Sequence, residues 1–290
     1  MDVIRKRNQQ NTGDNLRLHL NERITPTWSN RLGPKYEEAN LQRYPDLEKY
    51  YKEFENILGH KLFFTEGISG AVKEIMSILE FRKMEYQGTW ALYDIFNKLY
   101  GPKTLFDNRD GPVRKFCLLP ETDIDNIVKK YDHVIIDDAY QYFHDKDWTP
   151  YLKYDNVTIM RTFSKAFGLA GARIGYIIGE LVDLLTMHRG GYEANTLSLE
   201  KALYYFKNNS TAKQYGKEIT EVRTHMLNKY SDMRWDGYSN SLYTKRIDIH
   251  QKLLDNNILV KRAGEMKSEI RITLAPMPYM RDVFNILDGT

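Results

Sequence analysis

Two apolar β-type runs, Val157-Thr-Ile-Met160 and Ile174-Gly-Tyr-Ile-Ile178, bracket a loop of small residues. Short, β-branched and almost uncharged, such runs read as strands buried in an α/β sheet. The loop between them contains Gly168, Ala170, Gly171 and Ala172, with one lysine, Lys165, and one arginine, Arg173. Thr162 and Ser164 place hydroxyls just before the lysine. An amine at the edge of a strand can form a Schiff base with an aldehyde cofactor, while hydroxyls and a guanidinium hold that cofactor's phosphate. The same residues also read as a basic, Gly-rich surface loop, so the other stretches must decide.

Composition narrows the choice. The chain has 290 residues, 42% of them hydrophobic and 13% aromatic, enough to bury a large core. Its 42 basic and 39 acidic residues leave a net charge of +3, too mild to suggest nucleic acid or a membrane surface as partner. A single cysteine, Cys117, excludes an internal disulfide framework and suits a reducing compartment; within Phe116-Cys-Leu-Leu119 it reads as a small buried hydrophobe. No apolar run is long enough to span a bilayer, and Met1–Gln10 lacks the apolar core of a secretory signal, so the expected location is the cytoplasm.

Along the chain, Leu16-Arg-Leu-His-Leu20 alternates like a strand before Asn21-Glu-Arg-Ile-Thr-Pro26 breaks the pattern. Arg43-Tyr-Pro-Asp46 precedes an amphipathic helix that Asp46 can cap and Gly59 can end. Lys61-Leu-Phe-Phe-Thr65 reads as a strand, and Glu66-Gly-Ile-Ser-Gly-Ala71 as the turn that opens the next helix. Free amides and the positive helix end make that turn an anion site. Val134-Ile-Ile-Asp-Asp138 puts acid at the end of a strand, where parallel sheets present their ligands. Asp137, Asp138, His144, Asp145 and Asp147 could also be drawn as a hard-metal cluster. They fit no EF-hand spacing, and no His-Glu-x-x-His occurs, so no metal is expected. Helices are expected over 180–189, 198–206, 214–230 and 247–254, and strands over 257–261 and 269–274.

Taken together, these motifs resemble fold-type I pyridoxal-phosphate (PLP) aminotransferases, and most closely the histidinol-phosphate aminotransferase-like branch. The resemblance covers most of residues 16–280, in the family's order. It implies an α/β fold: a mostly parallel sheet in a three-layer large domain over 37–207. A small α+β domain would be built from 1–36 and 208–290. It also implies that Lys165 carries PLP, that Asp137 keeps the pyridine nitrogen protonated, and that Tyr140 hydrogen-bonds the phenolate oxygen. The phosphate would rest on the amides of Ile68, Ser69 and Gly70, with Ser164 and Arg173. Trp90, in Gly88-Thr-Trp-Ala-Leu-Tyr93, would stack on the ring. Arg271, in Glu269-Ile-Arg-Ile-Thr273, would clamp the substrate carboxylate, and Tyr44 would reach the partner's phosphate across a homodimer interface.

Two departures stand out. Few residues separate Phe81 from Trp90, which suggests a trimmed sheet. The family's Asn-Pro-x-x-Gly loop is missing where the chain reads Phe116-Cys-Leu-Leu-Pro-Glu-Thr-Asp123. The expected reaction is amino-group transfer between an amino acid, or an amino-acid-like phosphate, and a 2-oxo acid. A PLP-dependent decarboxylase on the same scaffold and a PLP-binding homologue without turnover are the alternatives. Asn195, Asn240 and Tyr243 are candidate side-chain contacts for the substrate.

Overall fold

A computed structural model describes residues 16–19, 21–24, 42–79, 83–86, 91–100, 113–118, 124–129, 131–237, 239–263 and 268–289. Trp90, residues 119–123 and the side chain of Cys117 lie outside the described residues. The strands are β1 (Leu16–Arg17), β2 (Leu62–Thr65), β3 (Lys83–Tyr86), β4 (Val113–Leu118), β5 (Val134–Asp137), β6 (Val157–Thr162), β7 (Gly175–Gly179), β8 (Ser241–Thr244), β9 (Ile258–Leu259), β10 (Lys261–Ala263) and β11 (Glu269–Thr273). The α-helices are α1 (Leu47–Leu58), α2 (Gly67–Ile78), α3 (Ala91–Tyr100), α4 (Ile124–Ile127), α5 (Val182–His188), α6 (Thr196–Lys207), α7 (Ser210–Lys229), α8 (Ile249–Asp255) and α9 (Met277–Asp288).

Among the described residues, six strands form the main sheet in the order β2-β7-β6-β5-β4-β3. The pairs β3–β4, β4–β5 and β5–β6 are parallel, and β7 runs against both β6 and β2. Among the described strands β7 alone is reversed, so the sheet is mostly parallel, as expected. Strand β3 occupies part of the short stretch between Phe81 and Trp90.

Period-two alternation sends side chains to two separate cores. Leu62, Phe64, Val134, Ile136, Val157, Ile159, Tyr176 and Ile178 pack in one. Phe63, Ile135, Met160 and Ile177 pack in the other, against Ile68, Val72, Ile75 and Met76 of α2. Continuous apolar runs with both faces covered are what a layered α/β sheet requires. On the first face Phe54 of α1 is fully buried and meets Phe64, Phe163 and Phe206. Asp46 caps that helix by accepting from the Lys49 amide at 3.2 Å, and Gly59 ends it in the left-handed region.

A second, antiparallel sheet has the order β10-β11-β8, and β1 pairs in parallel with β9. The strand expected over 257–261 is therefore two strands in two different sheets. Periodicity reports that a stretch is extended but not which neighbour it joins. Helix α7 begins at Ser210, four residues before the start read from the sequence.

Candidate active site

The C-terminal ends of β2, β5 and β6 meet the N-terminal end of β7 at one edge of the main sheet. Thr65 and Thr162 both register with Gly175, and Asp137 with Met160. Gly175 has no room for a side chain: a Cβ there would lie 2.6 Å from the Arg161 carbonyl oxygen and 2.9 Å from Gly67 Cα. This close approach brings the start of α2 up against the lysine loop. Asp137, Ser164, Lys165 and Arg173 follow from that edge, together with the first turn of α2.

Lys165 is partly buried, and its Nζ donates to the Asn21 carbonyl at 3.3 Å. The same nitrogen lies 5.8 Å from the Tyr140 ring centre. Burial, then the Arg271 charge, lowers the amine to about 8, with Asp137 and Glu22 pulling it the other way. At neutral pH an appreciable fraction is thus the free base. Asp137 is buried; its Oδ2 accepts the Tyr93 hydroxyl at 2.5 Å and its Oδ1 the Ala139 amide at 2.9 Å. Burial raises the carboxyl to about 6 against those two hydrogen bonds. A cationic ligand beside it would bring it down again and favour the charged form further. Tyr140 accepts from Asn21 Nδ2 at 2.9 Å, and burial pushes its phenol up to about 12.

The opposite end of the site collects neutral oxygens around one guanidinium. Arg173 follows a short 3-10 turn, Ala170–Ala172, in the left-handed conformation. It donates to Ser69 Oγ at 3.2 Å and to Ser164 Oγ at 3.4 Å, and to the carbonyls of Glu66 and Ala170. Among the described residues no carboxylate pairs with it. Gly67 opens α2 at φ +67°, a conformation L side chains rarely adopt, with Arg173 Nη2 3.1 Å from the position of a Cβ. The leading amides of a helix have no partner within it, and Ile68 and Ser69 are among those of α2. Gly70 follows in the same first turn. A cation, helix amides and hydroxyls at one point suit a phosphate dianion.

Arg271 projects from β11 on the face opposite the buried Ile270 and Ile272. Its Nη2 donates to the His19 carbonyl at 2.5 Å, while its buried Nε has no hydrogen-bond partner among the described residues. The guanidinium acts electrostatically on both Lys165 and Tyr140, so it shares their site. Asn240 is almost fully buried; its amide donates to the Asn21 carbonyl at 3.4 Å, and among the described residues its Oδ1 has no partner.

Other residues singled out from the sequence sit elsewhere. Tyr44 is 77% exposed and stacks on Tyr192 of the same chain, ring centres 4.2 Å apart. Asn195 caps α6 by accepting from the Ser198 amide at 2.9 Å, which gives it a structural task. Tyr243, by contrast, is on β8 opposite Arg271 and, like Arg271, acts electrostatically on Tyr140. Asp138 points away from Asp137 to a buried pair with Arg161, Nε to Oδ2 2.8 Å, and to His144 at 3.2 Å. Sequence reading missed Asn21 as a contact of Lys165 and Tyr140, and Tyr93 as the partner of Asp137. The local signal for Asn21 was an Asn directly after a short strand, a residue that tolerates positive φ; here φ is 55°.

The sequence pattern of the aminotransferase class I and II family matches residues 118–280. The histidinol-phosphate aminotransferase of Pyrococcus furiosus is 31% identical over 159 residues, 53% of this chain and 47% of that protein. That of Caldanaerobacter subterraneus subsp. tengcongensis is 32% identical over 190 residues, 61% of this chain and 54% of that protein. The chain thus spans about half the length of the relatives it matches. Among solved structures, the histidinol-phosphate aminotransferase of Sinorhizobium meliloti in complex with pyridoxal-5'-phosphate superposes with a TM-score of 0.73 at 18% identity, covering 95% of this chain and 89% of that one. The L-threonine-O-3-phosphate decarboxylase of Porphyromonas gingivalis gives 0.70 at 16% identity, covering 94% and 98%. These structures share the fold, and with the family pattern matched over more than half of its residues, the chain belongs to the class I and II aminotransferases.

Proposed function

We propose that this chain is the subunit of a PLP-dependent aminotransferase. It would move an amino group between an amino acid, or an amino-acid-like phosphate such as histidinol phosphate, and a 2-oxo acid. The observation that carries this reading is one sheet edge bearing a lysine lowered to about 8, a buried carboxylate and a guanidinium cradle that donates to hydroxyls and carbonyls and, among the described residues, to no carboxylate. These residues fit PLP: the cradle matches its phosphate, Asp137 a ring cation, and Lys165 its aldehyde. When bound, PLP supplies that aldehyde and a ring that accepts an electron pair.

The chain's own residues do the rest. Arg173, Ser69, Ser164 and the amides of Ile68, Ser69 and Gly70 hold the phosphate. Asp137 keeps the ring nitrogen protonated, and Tyr140 donates its hydroxyl proton to the phenolate oxygen. Lys165 Nζ takes the proton from the substrate α-carbon, and its lowering to about 8 keeps part of the amine in the free-base form this needs. Arg271 receives the substrate carboxylate, and its unpartnered Nε fits a bidentate clamp. Trp90 packs against the ring in this reading.

The working unit we infer is a cytoplasmic homodimer, with Tyr44, exposed and directed outward, reaching the neighbouring site. Among the described residues no helix is long and apolar enough to cross a membrane. Residues 37–207 form its large domain, and 1–36 with 208–290 the small one.

The test is chemical. Protein incubated with PLP should absorb at about 410–430 nm, and borohydride should fix the cofactor to the peptide containing Lys165. A donor panel that includes histidinol phosphate should then yield a 2-oxo product. An unlabelled Lys165 rejects the proposal, and release of carbon dioxide in place of a 2-oxo product assigns the decarboxylase reaction.

A further inference from the structure

Asn21 is the most connected polar residue of the site. It is buried, held at φ 55°, and each of its four polar groups is used. Its N–H donates to Thr273 Oγ1 at 3.0 Å, and Thr273 Oγ1 donates back to Asn21 Oδ1 at 2.7 Å. Its Nδ2 donates to the Tyr140 hydroxyl at 2.9 Å. Its carbonyl accepts from Lys165 Nζ at 3.3 Å and from Asn240 Nδ2 at 3.4 Å.

We propose that Asn21, latched by Thr273, is a positioning residue that aims the Lys165 amine and leaves Tyr140 as a hydrogen-bond donor. The logic is one of proton direction. The Thr273 oxygen already accepts the Asn21 N–H, so its own proton goes to Oδ1, which turns Nδ2 toward Tyr140. Tyr140 accepts that N–H, so its proton is free to point at another acceptor. Lys165 gives one N–H to the Asn21 carbonyl, so the remaining positions on nitrogen face away from that carbonyl. The inference deepens the role given above to Lys165 as the reactive amine, and rests on it.

The electrostatic setting of Lys165 makes the claim measurable. Arg271 from β11 and Arg173 from the loop disfavour its charged form. Asp137 from the end of β5 and Glu22 from the segment after β1 favour it, and Tyr140 presents its ring. The carbonyl of Asn21 adds a neutral acceptor to this balance. If Thr273 keeps that carbonyl in place, Thr273→Val should weaken the contact and make Lys165 less basic. Asn21→Asp substitutes a carboxylate for the amide and should make it more basic.

The experiment uses the full chain without PLP, so it is independent of the cofactor. Lys165 is acylated with acetic anhydride across a pH series, and the extent of modification is read by peptide mass spectrometry. Thr273→Val should move the half-reaction pH down by about 0.5, the size of one lost hydrogen bond. Asn21→Asp should move it up by about 1. An unchanged midpoint in folded Thr273→Val overturns the proposal whatever Asn21→Asp does, since a new charge acts through mere proximity. If Thr273→Val does not fold, Thr273→Ser restores the hydroxyl and should return the wild-type midpoint, and a shifted midpoint there also overturns it. A wild-type Lys165 that borohydride never fixes to PLP rejects the cofactor reading and leaves this measurement standing.

Discussion

Two neighbouring aspartates at the end of one strand have opposite surroundings. Asp138 faces the first core, where Arg161 from β6 and His144 meet its two oxygens. Asp137 faces the second core and, among the described residues, accepts from neutral donors, Tyr93 and the Ala139 amide. The cations divide the same way: Arg161 is buried against Asp138, whereas among the described residues Arg173 donates to neutral oxygens alone. The alternation of a strand explains the split, since Asp137 follows Ile135 and Asp138 follows Ile136. A buried charge whose partner is built into the fold serves the fold. One whose partners are neutral can still be neutralised by a ligand.

The contrast can be broken in four ways. The largest effect is expected from Lys165→Ala, which should lower amino-group transfer by about 10⁴-fold while thermal unfolding shows an intact fold. An active Lys165→Ala variant would mean that the unpaired side of the sheet edge is not the reacting side. Next, Asp138→Ala removes the buried partner of Arg161, leaving the exposed Asp147 at 3.8 Å as its nearest acid among the described residues, and should cost roughly 3–5 kcal/mol in urea unfolding. Asp137→Asn should go the other way. Because the folded carboxyl titrates near 6 rather than 3.8, the parent loses stability as pH rises from about 4 to above 6. Removing that charge should therefore stabilise the ligand-free chain by up to about 3 kcal/mol at pH 7 and by little at pH 4. Equal destabilisation by both replacements would erase the distinction. The smallest effect belongs to Arg173→Gln, which should leave unfolding nearly unchanged and weaken PLP binding about 100-fold in a fluorescence titration.

The strands of this site were legible because a layered sheet demands apolar runs and the chain supplies them at 62–65, 134–137, 157–162 and 175–179. The lysine loop and the acid at 137 were legible because their chemistry lies in consecutive residues. Contacts between distant segments were not. Nothing local to Tyr93 says that its hydroxyl meets a carboxylate 44 residues later. Asn21 read as the end of a strand, since its contacts with Lys165 and Tyr140 exist only after the segments assemble. Asn195 failed in the opposite sense: an Asn just before a helix is first of all a cap, and the Ser198 amide uses it that way. Trp90, the proposed ring face, lies outside the described residues, and Tyr44 stands on the surface of its own chain.

The reciprocal hydrogen bonds of Asn21 and Thr273 join positions 252 residues apart. During synthesis on the ribosome, therefore, the amine at 165 emerges long before the threonine that would steady its neighbour. Closing so long a loop is a late event, and the pocket around Lys165 reaches its final form only after residue 273 has emerged. A nascent chain would meet its coenzyme with the main sheet assembled and the latch still open.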